Sequence, residues 1–126
     1  MNLPADSLAS VSRREQSGVI VATVQGEIDV SNATQLGREL TEVPNQAIGL
    51  VVDLGGVEYL DSTGIALLYE LHLRLSRRGQ RFVVVAPPRG APRRVLELTK
   101  FDTRAALAEE VDAAIATVRE PDRAAS

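Results

Sequence analysis

The stretch VVDLGGVEYLDSTGIALL, residues 51–68, changes its period in the middle. Its first part continues the apolar run AIGLVVDLGG, residues 47–56, which suits a central strand covered on both faces, as in parallel sheets. That run stops at Gly55-Gly56, a pair read as a turn. Beyond Asp61 the spacing becomes helical. Gly64, Leu68, Leu71 and Leu75 fall on one stripe, with Ile65 and His72 beside it, which predicts a helix over 62–78. Arg77-Arg78-Gly79 supplies its stop, since basic side chains suit the negative helix end and glycine the left-handed cap.

The same alternation continues on either side. GVIVATVQGEID, residues 18–29, is rich in β-branched residues and predicts a strand, with Ser17-Gly18 turning a hairpin from a short strand over 11–16. Ser31 and Asn32 are N-cap candidates for a helix carrying Ala33, Leu36 and Leu40, which Gly37 weakens. Downstream, RFVVVAPP (81–88) predicts a strand closed by two prolines, and APRRVLELTK (91–100) a short helix with Pro92 in its first turn. A brief strand near 105–108 and a helix over 111–119 follow. The expected architecture is α/β, one sheet of about 4–5 strands with about four helices packed on it. Residues 1–9 are expected to form a loose arm, residues 10–120 one domain, and residues 121–126 a frayed tail.

Composition removes several kinds of chemistry. The 126 residues contain no cysteine, which excludes disulfides, zinc–thiolate sites and thiol catalysis. A net charge of −3 gives no general attraction to nucleic acid, whose binding depends on clustered cations. The apolar runs fall far short of the roughly 20 residues that a membrane helix needs. No basic start followed by an apolar stretch marks a signal peptide, so a cytoplasmic protein without membrane insertion is expected.

Little points to catalysis. His72 is the single histidine, and it lies about 15 Å from Ser62 along the predicted helix at 1.5 Å per residue. A hydrolase using Ser62 as nucleophile would lack a base within reach. His72 is read instead as a residue at the core margin without companions for a metal site. Asp53 at a strand end could suggest a phospho-receiver, but Lys100 falls at a helix end and not after the last strand. Arg77-Arg78 and Arg93-Arg94 are read as solvated helix faces. Glu27 and Asp29 sit two apart at a strand end and so share a face, with surface acids the default reading.

Asp61-Ser62-Thr63-Gly64 is left. Asp61 or Ser62 before an apolar periodic run is an N-cap, worth about 0.5–2 kcal/mol relative to alanine. A serine there also lies at the positive end of the helix macrodipole, where a phosphate gains roughly 0.3–1 kcal/mol. Phosphorylation would therefore leave the fold intact while adding about −1.5 to −2 charges beside Asp61. One hydroxyl could both cap and switch.

Taken together and in order, GEID, then VVDLGGVEYLDSTGIALL, then RRGQRFVVVAPPRGAPRRVLELTKFD resemble the STAS domain, and more narrowly the bacterial anti-sigma factor antagonists. The likeness runs over 19–118. It implies a single-domain α/β fold with a mixed central sheet, no catalytic activity and no cofactor. It implies an anti-sigma factor that is a serine protein kinase as partner, whose sequestration frees a sigma factor for transcription. Ser62 matches the hydroxyl that the kinase phosphorylates and a serine phosphatase restores. Thr63 matches a position that shapes kinase recognition, Asp61 the motif acid, and Gly64 a position where a Cβ would crowd the helix start. Glu27 and Asp29 match a segment lining the docking surface, and Leu67, one turn past Thr63 and off the core stripe, is expected to be an exposed contact. The expected state is a monomer. A STAS scaffold or adaptor in a stress-signalling or membrane lipid- or anion-transport complex is the rival within the family.

Overall fold

The computed structural model describes residues 9–120. After an opening pair of strands, helices and strands alternate: β1 Ala9–Gln16, β2 Val19–Ile28, α1 Ala33–Thr41, β3 Gly49–Leu60, α2 Ser62–Arg77, β4 Arg81–Val85, α3 Ala91–Leu98, β5 Ala106–Ala108 and α4 Val111–Arg119, with a 3₁₀ turn at Phe101–Thr103. The strands lie in the sheet in the order β1-β2-β3-β4-β5. β1 pairs antiparallel with β2 and all other pairings are parallel, so the sheet is mixed. The β1–β2 hairpin turns at Ser17 and Gly18, both at positive φ, which a two-residue hairpin turn of this hand demands. β1 begins at Ala9, one residue inside the expected arm; residues 1–8 of that arm and the expected tail 121–126 lie outside the described residues.

Strand alternation sorts the core into two layers. Ile20, Ala22 and Val24 of β2, Leu50, Val52 and Leu54 of β3, and Phe82 and Val84 of β4 pack with Leu36 and Leu40 of α1, Leu68, Leu71 and Leu75 of α2 and Leu96 of α3. The intervening Val19, Val21, Val51, Val83 and Val85 meet Ala114, Ile115 and Val118 of α4 on the other face. Both faces of the central strands are thus covered, which is why their sequences read as unbroken apolar runs. The buried residues of α2 are Gly64, Leu68, Leu71 and Leu75, the stripe that the spacing marked. Gly79 closes that helix at φ +72°.

Two expectations need correction. Gly55-Gly56 is not a turn: β3 runs through it to Leu60 and stays paired with β2. Between the pairs Thr23–Asp53 and Gln25–Gly56, β3 spends one residue more than β2, and it does so again between Gly26–Val57 and Glu27–Tyr59. The glycines therefore mark a bulge, and the Gly55 N–H donates to the Asp53 carboxylate at 2.9 Å across it. Arg93 is not a solvated helix-face residue either. Its half-buried guanidinium donates to the Ala86 carbonyl at 2.6 and 2.8 Å and to Ala108 at 3.2 Å, tying α3 to the ends of β4 and β5.

Candidate functional site

The two extra residues in β3 advance its end so that Leu60 lies opposite Ile28 and Tyr59 opposite Glu27. Ile28 and Leu60 turn into the core, while Glu27 and Tyr59 are exposed. The Asp61 N–H donates to the Ile28 carbonyl at 3.3 Å, joining the GEID strand end to the start of α2.

Asp61 is the N-cap of α2 in extended conformation. One carboxylate oxygen, Oδ1, accepts from the Thr63 N–H at 2.9 Å, the Gly64 N–H at 3.2 Å and the Thr63 hydroxyl. The Thr63 hydroxyl is the largest influence holding the Asp61 carboxyl below its ordinary range. Partial desolvation opposes it, and the Gly64 and Thr63 amides reinforce it. Ser62 takes the first helical position and is exposed. Capping and exposure thus fall on different residues, where the sequence left open that Ser62 could do both. Gly64 sits against Ile28 and Leu60, and an added Cβ would stand 3.1 Å from Ile28 Cγ2 and overlap Leu60 Cδ1.

The adjoining strand end is shaped by Asn32. It occupies the N-cap position of α1 but makes no capping bond there. Buried to 2% exposure, its side chain instead accepts from the Asp29 N–H at 3.1 Å and donates to the Glu27 carbonyl at 2.8 Å. The Asp29 carboxylate folds onto Ser31, accepting from its N–H at 2.8 Å and its hydroxyl at 2.6 Å. Of the two acids expected to share a face, Glu27 is exposed, while Asp29 is half-buried and engaged in this turn.

Leu67 departs from expectation. It is half-buried and packed against the core, with Leu67 Cδ1 2.7 Å from where a Cβ on Gly37 of α1 would stand. Its remaining surface lines a shallow groove of about 270 Å³ between α1 and α2, together with Val30, Ala33, Ala66, Thr63 and Glu70. Val30 is 76% exposed and Tyr59 50%, so two apolar side chains flank the DSTG turn. Sequence reasoning missed both. The available signal was a valine isolated between the turn formers Asp29 and Ser31, and a tyrosine directly before a helix cap.

His72 lies elsewhere. Its ring is 6.1 Å from that of Tyr69 and 6.3 Å from that of Phe82, at the core margin. Among the described residues no cluster of three or more His, Asp or Glu could hold a metal ion, and no helix is long and apolar enough to cross a membrane.

A mixed five-stranded sheet whose central strand ends in an acid-capped, serine-bearing helix start defines a class, and comparison with known proteins agrees. A family model described as "Mlab, STAS domain" matches residues 10–109. The anti-sigma-F factor antagonist RsfB of Mycobacterium tuberculosis is 31% identical over 119 residues, covering 93% of this chain and 95% of that relative. The crystal structure of an anti-sigma factor antagonist from Mycobacterium paratuberculosis superposes with a TM-score of 0.77 at 30% identity, over 95% of this chain and 100% of the other. A putative anti-sigma factor antagonist from Thermotoga maritima shares the fold, with a TM-score of 0.76 at 20% identity over 87% of this chain and 95% of its own. The chain belongs to the STAS domain family.

Proposed function

We propose that this chain is an anti-sigma factor antagonist, switched off by phosphorylation of Ser62. In its unmodified form it binds an anti-sigma factor that is a serine protein kinase, and so frees a sigma factor for transcription. The observation that carries the reading is the exposed Ser62 hydroxyl at the first position of α2, beside a cap supplied by Asp61. The antagonist role of the relatives at 30 and 31% identity favours it over a scaffold or transport-complex subunit. The chain acts as a cytoplasmic binding module and not as an enzyme. ATP and magnesium belong to the kinase, and a separate serine phosphatase restores the hydroxyl.

Charge and fit supply the mechanism. Val30, Tyr59 and the Leu67 groove offer apolar contact, with Glu27, Ser62 and Thr63 among them. A phosphate on Ser62 adds about −1.5 to −2 charges to this surface, next to the Asp61 carboxylate. The helix end compensates part of that charge within the protein, worth roughly 0.3–1 kcal/mol, so the fold survives. The docked partner would have to desolvate a dianion, and binding is lost. Calorimetric titration of the kinase-type anti-sigma factor with parent, Ser62→Ala and Ser62→Asp tests the switch. Parent and Ser62→Ala should bind, and Ser62→Asp should not. Equal affinity for all three would refute it.

A further inference from the structure

Two hydroxyls stand side by side at the start of α2, and among the described residues only that of Thr63 is held by Asp61. The Thr63 hydroxyl donates to Asp61 Oδ1, which also holds the Thr63 and Gly64 amides, whereas Ser62 is not among the partners of that carboxylate. Thr63 is half-buried at the mouth of the α1–α2 groove, and Ser62 is exposed.

We infer that the Asp61–Thr63 hydrogen bond selects the phosphoryl acceptor, withholding Thr63 and leaving Ser62 as the one reactive hydroxyl. The inference rests on the phosphorylation reading above and adds to it the element that determines specificity. In transfer from ATP, a bond forms from the serine oxygen to the γ-phosphorus as the bond from that phosphorus to the bridging oxygen breaks. ADP leaves with the electron pair, and the hydroxyl proton passes to a base on the kinase. The attacking oxygen must approach nearly in line and be free to surrender its proton. Ser62 meets both needs as it stands.

Thr63 would first have to break a charge-assisted bond and turn out of the groove. A carboxylate that accepts a hydroxyl proton can also activate that hydroxyl, so the opposite outcome needs weighing. Here Oδ1 is already shared among three donors, and the carboxyl is held below its ordinary range, which makes it a weak proton acceptor. The contact restrains Thr63 and does not activate it. Asp61 is thus a positioning residue acting through Thr63.

The test is phosphorylation by the kinase-type anti-sigma factor with ATP, followed by mass mapping of the phosphate, on variants first shown by circular dichroism to be folded. Asp61→Ala removes the lock. Asp61→Glu keeps the charge but replaces a favoured capping residue with a longer one that is not. In both, phosphate should appear on Thr63 as well as Ser62, with the Thr63 share rising about 10- to 100-fold, the worth of one hydrogen bond to a charged acceptor. Asp61→Asn, which restores a capping oxygen that can hold the hydroxyl, should return the phosphate to Ser62. Phosphate on Ser62 alone in Asp61→Ala and Asp61→Glu, or none on either, overturns the lock while the switch at Ser62 stands. Phosphate on Thr63 in the parent overturns the lock directly. A parent that takes no phosphate overturns the switch and the lock together.

Discussion

Gly64 at the third position of α2 rests directly on Leu60 at the end of β3, so closely that a Cβ on Gly64 would overlap Leu60 Cδ1. Leu60 is 4% exposed and packed beside Ile28, so it has little room to yield. Gly64→Ala sets two effects against each other. Alanine in place of glycine favours a helix by roughly 0.5–1 kcal/mol. Overpacking a closed core costs about 1–3 kcal/mol. The overlap decides the sign, and the variant should lose about 1–2 kcal/mol in urea unfolding, with a melting temperature several degrees lower. A variant as stable as the parent would show that the contact relaxes freely.

Asp61 carries a pH dependence of known sign. Its carboxyl is held below the ordinary value of about 3.9 by the Thr63 hydroxyl first, and by the Gly64 and Thr63 amides. A group whose folded pKa is depressed contributes stability that is present above the unfolded pKa and is lost as pH falls through the folded one. Asp61→Ala should therefore cost about 0.5–2 kcal/mol near neutrality, as for other lost caps. The gap between parent and variant should narrow as the pH drops below about 4. Urea unfolding of both proteins at stepped pH measures it, and a gap that widened in acid would contradict the assignment.

Asn32 is expected to be costlier than an ordinary surface polar residue. Its buried amide holds the Glu27 carbonyl and the Asp29 N–H at once, and no apolar side chain can replace both bonds. Asn32→Ala should destabilise the protein by about 1–3 kcal/mol, the cost of leaving a buried polar group unpaired. Hydrogen exchange at the Asp29 amide should accelerate in the same variant. Unchanged exchange there would mean that the strand end holds itself.

The expectations that succeeded share a physical origin. Continuous apolar strands, the Gly64–Leu68–Leu71–Leu75 stripe and the Gly79 stop are local patterns that tertiary packing reinforces, and the alternation of strand and helix leaves few arrangements of layers. The misreadings sit where contacts outside the element's own periodic pattern decide. Gly55-Gly56 looks like a turn on its own and becomes a bulge because β2 pairs beyond it. Asn32 looks like a cap and becomes a strap because the Glu27 carbonyl comes within its reach. Leu67 looks exposed by its offset from the core stripe and is half-covered because Gly37 lets α1 approach. At the site, the order D-S-T-G gave the candidate hydroxyls, but which residue caps and which stands free depends on the direction of the Asp61 side chain.

Val30 offers the sharpest separation of docking from folding. At 76% exposure its side chain contributes little to the core, and surface substitutions of that kind stay within about 0.5 kcal/mol. Yet it lines the groove that Thr63 and Leu67 share. Burying a valine side chain in an interface is worth up to about 1.5–3 kcal/mol, so losing it corresponds to roughly 10- to 100-fold in affinity. Val30→Ser should therefore melt with the parent and bind the kinase-type anti-sigma factor about tenfold more weakly by calorimetry. If binding holds and only stability falls, the apolar rim of the DSTG turn belongs to the fold, and the partner docks elsewhere.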